Sequence, residues 1–194
     1  MKNKAFKIAA ASVAGVVLGG ALVYYNFIDT ATVPIVEVGD KAPDFTVTTY
    51  KVENGEFQVG GDNFTMSDHL DKILVVNFWA TYCAPCKAEL PEFDQFQKAY
   101  ANDVTVITLD GELDYSYESL CTWLNTQEDA NGWENFSITF GRFESQGNNV
   151  LQSFGFTGAL PATVIIDYDG VIRFKQQGSM HYEDLEREVL PLVK

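Results

Sequence analysis

The chain has 194 residues, 46% of them hydrophobic, enough for one well-packed domain and too little for two comfortable ones. Its formal net charge of -14 argues against a nucleic-acid partner, because phosphate binding rewards clustered Lys and Arg. All 27 acidic residues and all but three of the 13 basic ones lie at or after Asp29, a distribution that reads first as a solvated acidic surface.

The chain opens with the basic stretch MKNKAFK, followed from Ile8 to Ile28 by 21 residues without a charge. A run of about 18 or more such residues can cross a bilayer as a helix. It is longer than the ~7–15-residue core of a cleaved signal peptide, and Tyr24, Tyr25 and Phe27 suit an interfacial belt. Lysines before the run and acids after it place the N-terminus in the cytoplasm. The expectation is a cytoplasmic tip and signal-anchor over 1–28, a linker over 29–37, and a domain over 38–194 that faces outward from the cell membrane. Gly19 and Ala21 leave cleavage open.

Within the domain, KVENGEFQVGG alternates around Asn54-Gly55 and predicts a hairpin. ILVVNFWA, from Ile73 to Ala80, has the length and continuous apolarity of a strand buried on both faces. Leu90, Phe93, Phe96 and Tyr100 then recur at helical spacing, with Pro91 inside the pattern as an expected kink. VTVITLD is a second buried strand, YESLCTWLNTQ a helix, FSITFG a short strand, and NNVLQSFGF a short helix closed by Gly155. LPATVIIDYDGVIRFKQQG predicts two strands joined at Tyr168-Asp169-Gly170, and HYEDLEREVLPLV a final amphipathic helix. Early alternation with a late hairpin predicts an α/β fold, a central mixed sheet flanked by helices.

Cys83 and Cys86 stand between the first buried strand and the helix. A structural zinc site needs four ligands, and Cys121, His69 and His181 lack partner spacing. A haem attachment needs His after the second cysteine, and position 87 is Lys. A disulfide closing so small a loop restricts the unfolded chain little, which makes a purely structural staple a poor reading. A redox couple fits the local physics. The strand delivers Cys83 to a helix N-terminus, where unpaired N–H groups and the helix dipole favour a thiolate. Pro85 lies in the first turn, where a missing N–H costs little. Cys83 is then the exposed attacking sulfur and Cys86 the buried resolving one. Trp79 and Tyr82 flank the motif and are expected to wall the disulfide.

The segment FWATYCAPCKAELP resembles the active-site segment of thioredoxin-fold proteins. It is most similar to the membrane-anchored, extracytoplasmic thiol–disulfide oxidoreductases of the ResA/TlpA group. The resemblance runs from about Val38 to Lys194 and includes the GDKAPDF opening, Pro91 in the helix, and GALPATVIIDYDGVI. It implies a thioredoxin-like fold with an added N-terminal hairpin, a redox-active Cys83–Cys86 disulfide and no other cofactor. It also implies a cis Pro161 facing the disulfide, with Leu160 before it and Ala162 and Thr163 after it presenting backbone to substrate beside Tyr82, Ala84 and Pro85. The implied activity is reduction of disulfides in exported proteins, apocytochrome c among them, with electrons from a membrane donor.

The chain departs from the family in its carboxylates. Six residues before the first cysteine, where many thioredoxins carry a buried acid, stands Asn77. Between the cysteines, where members of the ResA-like group can carry Glu, stands Ala84. Glu89 and Lys87 read as exposed helix charges, and Cys121 as a small buried apolar residue. Two other functions use the same cysteines: an oxidant of folding proteins, and a Cu(I) delivery protein with Met180 or His181 as a third soft ligand. The scarcity of Met and His weighs against copper. A peroxidase shares the APDF opening but has Thr three residues before its reactive cysteine, where this chain has Ala80. The stretch from Gly111 to Asn149 is long and acidic for a connection in this fold and is expected to border the substrate groove.

Overall fold

The computed structural model describes residues 15–18, 21–24, 36–53, 55–112, 116–131, 136–142 and 147–194. The chain divides into two units, residues 1–32 and 33–194, and each is described by itself.

In the first unit β1 (Gly15–Leu18) pairs antiparallel with β2 (Ala21–Tyr24), Gly15 opposite Tyr24 and Leu18 opposite Ala21. These eight residues are therefore strands, which corrects the expected membrane-spanning helix over them. No helix among the described residues is long and apolar enough to cross a membrane. The physical reason lies in the composition. Val16, Val17 and Val23 are β-branched, a Gly-Gly pair separates the two apolar runs, and apolarity without periodicity does not tell strand from helix. The rest of Ile8–Ile28 and the lysine-bearing tip lie outside the described residues.

The second unit contains, in chain order, β3 (Thr46–Thr49), β4 (Lys51–Glu53), β5 (Glu56–Gln58), β6 (Asn63–Thr65), β7 (Ile73–Trp79), α1 (Ala84–Ala99), β8 (Val104–Asp110), α2 (Tyr117–Asn131), β9 (Thr139–Arg142), α3 (Gly147–Ser153), β10 (Ala162–Ile166), β11 (Ile172–Gln177) and α4 (Tyr182–Val189). Seven strands form one mixed sheet in the order β11-β10-β7-β8-β9-β3-β6. β7, β8 and β9 are parallel, and the remaining pairings are antiparallel. β4 and β5 form a separate antiparallel hairpin, as the Asn54-Gly55 signal predicted. Asn125 of α2 ties that hairpin down, accepting from Phe57 N at 2.8 Å and donating to Phe57 O at 3.1 Å.

β7 explains why the active segment sits where it does. All seven of its residues are buried, because side chains alternate between two apolar layers. Ile73, Val75 and Trp79 pack with the α1 side chains Leu90, Phe93 and Phe96. Leu74, Val76 and Phe78 pack with Phe154, Phe156 and Val164 on the other face. A strand covered on both faces ends abruptly where cover stops, and the chain turns there into α1. Pro91 stands exposed inside α1, which continues past it to Ala99. Gly170, at φ 69°, turns β10 into β11, a conformation that favours glycine.

Candidate active site

The loop after β7 delivers Cys83 as the N-cap of α1, with Pro85 in the first turn. Cys83 N donates to Ala80 O at 3.0 Å, which closes the loop. Cys83 and Cys86 are joined by a disulfide with Cα atoms 5.3 Å apart, and Cys86 N donates to Cys83 Sγ at 3.2 Å. That contact places a backbone donor and the positive end of the helix dipole on the outer sulfur, where a thiolate would stand after reduction. Cys86 is fully sealed and Cys83 is 7% exposed. Cys83 is thus less open in the disulfide form than expected, though it remains the sulfur nearer solvent. Ala84 and Pro85 are exposed, and Tyr82 is 74% exposed.

The Leu160–Pro161 peptide bond is cis. Ala162 lies opposite Phe78 in the β10–β7 pairing, so the register carries Pro161 to the level of Trp79, beside the loop that ends in Cys83. Leu160 is half-buried, whereas Pro161, Ala162 and Thr163 are buried. Trp79 belongs to the buried cluster that also holds Cys83 and Cys86. It is 1% exposed and packs at 5.8 Å from Trp123 and 5.9 Å from Phe140, because an odd position of β7 faces the α1 layer. Of the two expected aromatic walls, only Tyr82 stands at the surface.

Glu89 and Lys87 correct the sequence reading of exposed helix charges. Glu89 is 1% exposed. Its Oε1 accepts from Asn77 Nδ2 at 2.8 Å and its Oε2 from Met180 N at 3.0 Å. Asn77 also donates to Thr163 Oγ1 at 3.3 Å. Burial pushes the Glu89 carboxyl up to about 7, against the pull of the two hydrogen bonds and of His181. Glu89 follows Cys86 by three residues, so both lie on one helix face. That spacing was the available signal, and the structure supplies at Glu89 the buried carboxyl that Asn77 and Ala84 do not. Lys87 is half-buried with Nζ 5.6 Å over the Trp123 ring.

The remaining candidates are buried or paired with other side chains. Cys121 is a free, buried thiol, and burial pushes it up to about 11. Met180 is fully buried in the core that holds Cys86. His181 Nδ1 pairs with Glu92 at 3.0 Å at the start of α4, and His69 stacks on Phe64 at 3.9 Å, so both histidines have partners that their sequence context did not reveal. Among the described residues no group of three His, Cys, Asp or Glu is placed to hold a metal.

The model of the AhpC/TSA family matches residues 38–175. A thiol-disulfide oxidoreductase ResA from Geobacillus kaustophilus is 30% identical over 172 residues, covering 88% of this chain and 85% of that protein. The thioredoxin-like protein YneN of Bacillus subtilis is 26% identical over 156 residues, 79% of each chain. A putative thiol:disulfide interchange protein DsbE from Chlorobium tepidum superposes with a TM-score of 0.64 at 22% identity, over 82% of this chain and 99% of that one, which is a likeness of fold.

Proposed function

This chain belongs to the AhpC/TSA family and is a thiol–disulfide oxidoreductase, and we propose that its Cys83–Cys86 dithiol reduces disulfides of exported proteins, with apocytochrome c among its substrates. The observation that carries the reading is the placement of the two sulfurs, Cys83 at the helix N-cap under the Cys86 N–H and Cys86 sealed one turn inward. In the reduced chain the Cys83 thiolate attacks a substrate disulfide. One Cys83–substrate S–S bond forms and one substrate sulfur leaves as a thiolate. Cys86 gives up its proton, for which Glu89 is the nearby buried carboxylate, and attacks Cys83 Sγ. The second substrate thiolate leaves and the Cys83–Cys86 bond closes. Two electrons have passed to the substrate, and a membrane donor returns them. Leu160, Pro161 and Ala162 together with Tyr82, Ala84 and Pro85 form the substrate contact.

The reducing direction follows the resemblance of the active-site segment to the ResA/TlpA group, because the same dithiol serves either direction and its potential decides between them. The reduction potential of the pair, equilibrated in redox buffers, tests this. A value near about -270 mV is expected, and one near about -120 mV would instead make the chain an oxidant of folding proteins.

The setting outside the cytoplasm rests on sequence alone, on the uncharged run and the lysines that precede it. Fractionation of a bacterial host that expresses the full chain is expected to recover the domain outside the cytoplasm. Recovery with the cytoplasmic fraction would overturn this setting.

A further inference from the structure

Beneath the redox loop lies a charged cluster that the thiol chemistry does not use. Asp110 and Arg142 end β8 and β9, stand opposite each other in register, and are 1% and 4% exposed. Asp110 also stands opposite Trp79, the last residue of β7, so the cluster spans the ends of three parallel strands. Buried ion pairs are weak evidence for stability, because desolvation offsets their attraction, and this one is poorly made. The Arg142 Nε to Asp110 Oδ2 separation is 3.7 Å. Asp110 Oδ2, Arg142 Nη1 and the nearby Tyr50 hydroxyl have no well-formed hydrogen bond.

Both partners direct their better contacts to a third residue. Asp110 Oδ1 accepts from Glu112 N at 3.0 Å, and Arg142 Nη2 donates to Glu112 O. Arg142 is steadied by the Tyr117 ring, 5.0 Å away. Glu112, with its backbone held on both sides, turns its carboxylate onto the redox loop. Oε2 accepts from Thr81 N at 2.6 Å, and Oε1 accepts from Thr81 Oγ1 at 2.9 Å. Thr81 is buried, two residues before Cys83 and next to Ala80, whose carbonyl holds Cys83 N.

We propose that Glu112 is a positioning residue for the redox couple: held by Asp110 and Arg142, it clamps Thr81 and so fixes the geometry in which Cys83 meets the helix N-terminus. The proposal rests on the thiol-exchange reading above. It accounts for the burial of a poorly matched ion pair, and it gives part of the 111–149 stretch a task at the active-site loop rather than only along a groove.

Two variants separate the clamp from the charge. Glu112→Gln keeps an acceptor for Thr81 N and reverses the second bond, its amide N–H donating to Thr81 Oγ1, whereas Glu112→Ala can make neither bond. Both lack the carboxylate charge, so any difference between them reports the clamp. The readouts are the rate at which reduced protein attacks a small aromatic disulfide and the Cys83 thiol pKa from the pH profile of alkylation. Misplacement of a reacting group by about 1 Å can cost about 100-fold. Expected is an attack about tenfold slower in Glu112→Ala than in Glu112→Gln, with a higher thiol pKa in the alanine variant. Equal rates and equal pKa values in the two variants would overturn the clamp. If Glu112→Ala does not fold, Thr81→Val, which removes the hydroxyl half of the clamp, takes its place. A slowing of about threefold is then expected, and an unchanged rate overturns the proposal. Failure of the wild-type chain to exchange at all would sink the enzymatic reading itself, a distinct outcome.

Discussion

Cys83→Ala is expected to lower disulfide reductase activity by at least ~10³-fold, the scale on which removal of a nucleophile acts. Cys86→Ala is expected to behave differently. Its Cys83 still attacks and still forms the mixed disulfide, but nothing inside the protein can displace the substrate. The variant should accumulate as a covalent complex that runs as a heavier band on a non-reducing gel and collapses with dithiothreitol. The asymmetry follows from geometry. Cys83 is the N-cap and the sulfur nearer solvent, while Cys86 is sealed. A reductase-competent Cys83→Ala would show that the nucleophile is misassigned, and a Cys86→Ala that traps no partner would remove its resolving role.

Glu89→Gln carries the second large effect, on both catalysis and stability. Glu89 is fully enclosed and burial pushes its carboxyl up to about 7 from an ordinary value of 4.5. Between those values the folded chain holds a proton that the unfolded chain has released, so stability falls as pH rises. The contribution is complete below about pH 4.5 and lost above about pH 7. The span corresponds to about 3 kcal/mol, taking ~1.4 kcal/mol per unit. Denaturant unfolding of the isosteric Gln variant at pH 5 and pH 8 should show a correspondingly smaller loss on raising the pH. On the proposed mechanism the same carboxyl takes the Cys86 proton, so resolution of the mixed disulfide is expected to slow by about 10²-fold near pH 7, with the initial attack by Cys83 little changed. A Gln variant whose resolution rate follows the wild type across pH 5–9 would leave Glu89 with a packing role alone.

These two predictions differ in how far the sequence leads to them. The Cys83–Cys86 pair is a local feature. A strand that delivers a cysteine to a helix start, with a second one turn later, specifies its own geometry through helix periodicity. Most of the domain's elements were legible for the same reason. β7 lies in a long apolar run, β8 is a short segment rich in Val, Ile and Leu, α1 shows its apolar face at helical spacing, and the Tyr168-Asp169-Gly170 turn marks the β10–β11 hairpin.

What was not legible depends on residues far apart in the chain. A glutamate on a helix surface and a glutamate in a core have the same local sequence. Glu89 is buried because Asn77 of β7 and the backbone of Met180 close over it, from positions 12 and 91 residues away. Trp79 faces inward because Trp123 and Phe140 supply its packing partners. Glu112 reaches Thr81 across 31 residues because β7 and β8 end side by side. The N-terminal run shows the converse: its apolarity was plain, but apolarity without a period fits helix and strand alike, and β1 and β2 pair as strands. The sequence by itself therefore determined the reacting atoms and the order of the elements, both fixed by short-range periodicity. The tertiary structure decided which charges are removed from water and what they hold, because burial is set by neighbours that only the folded chain brings together.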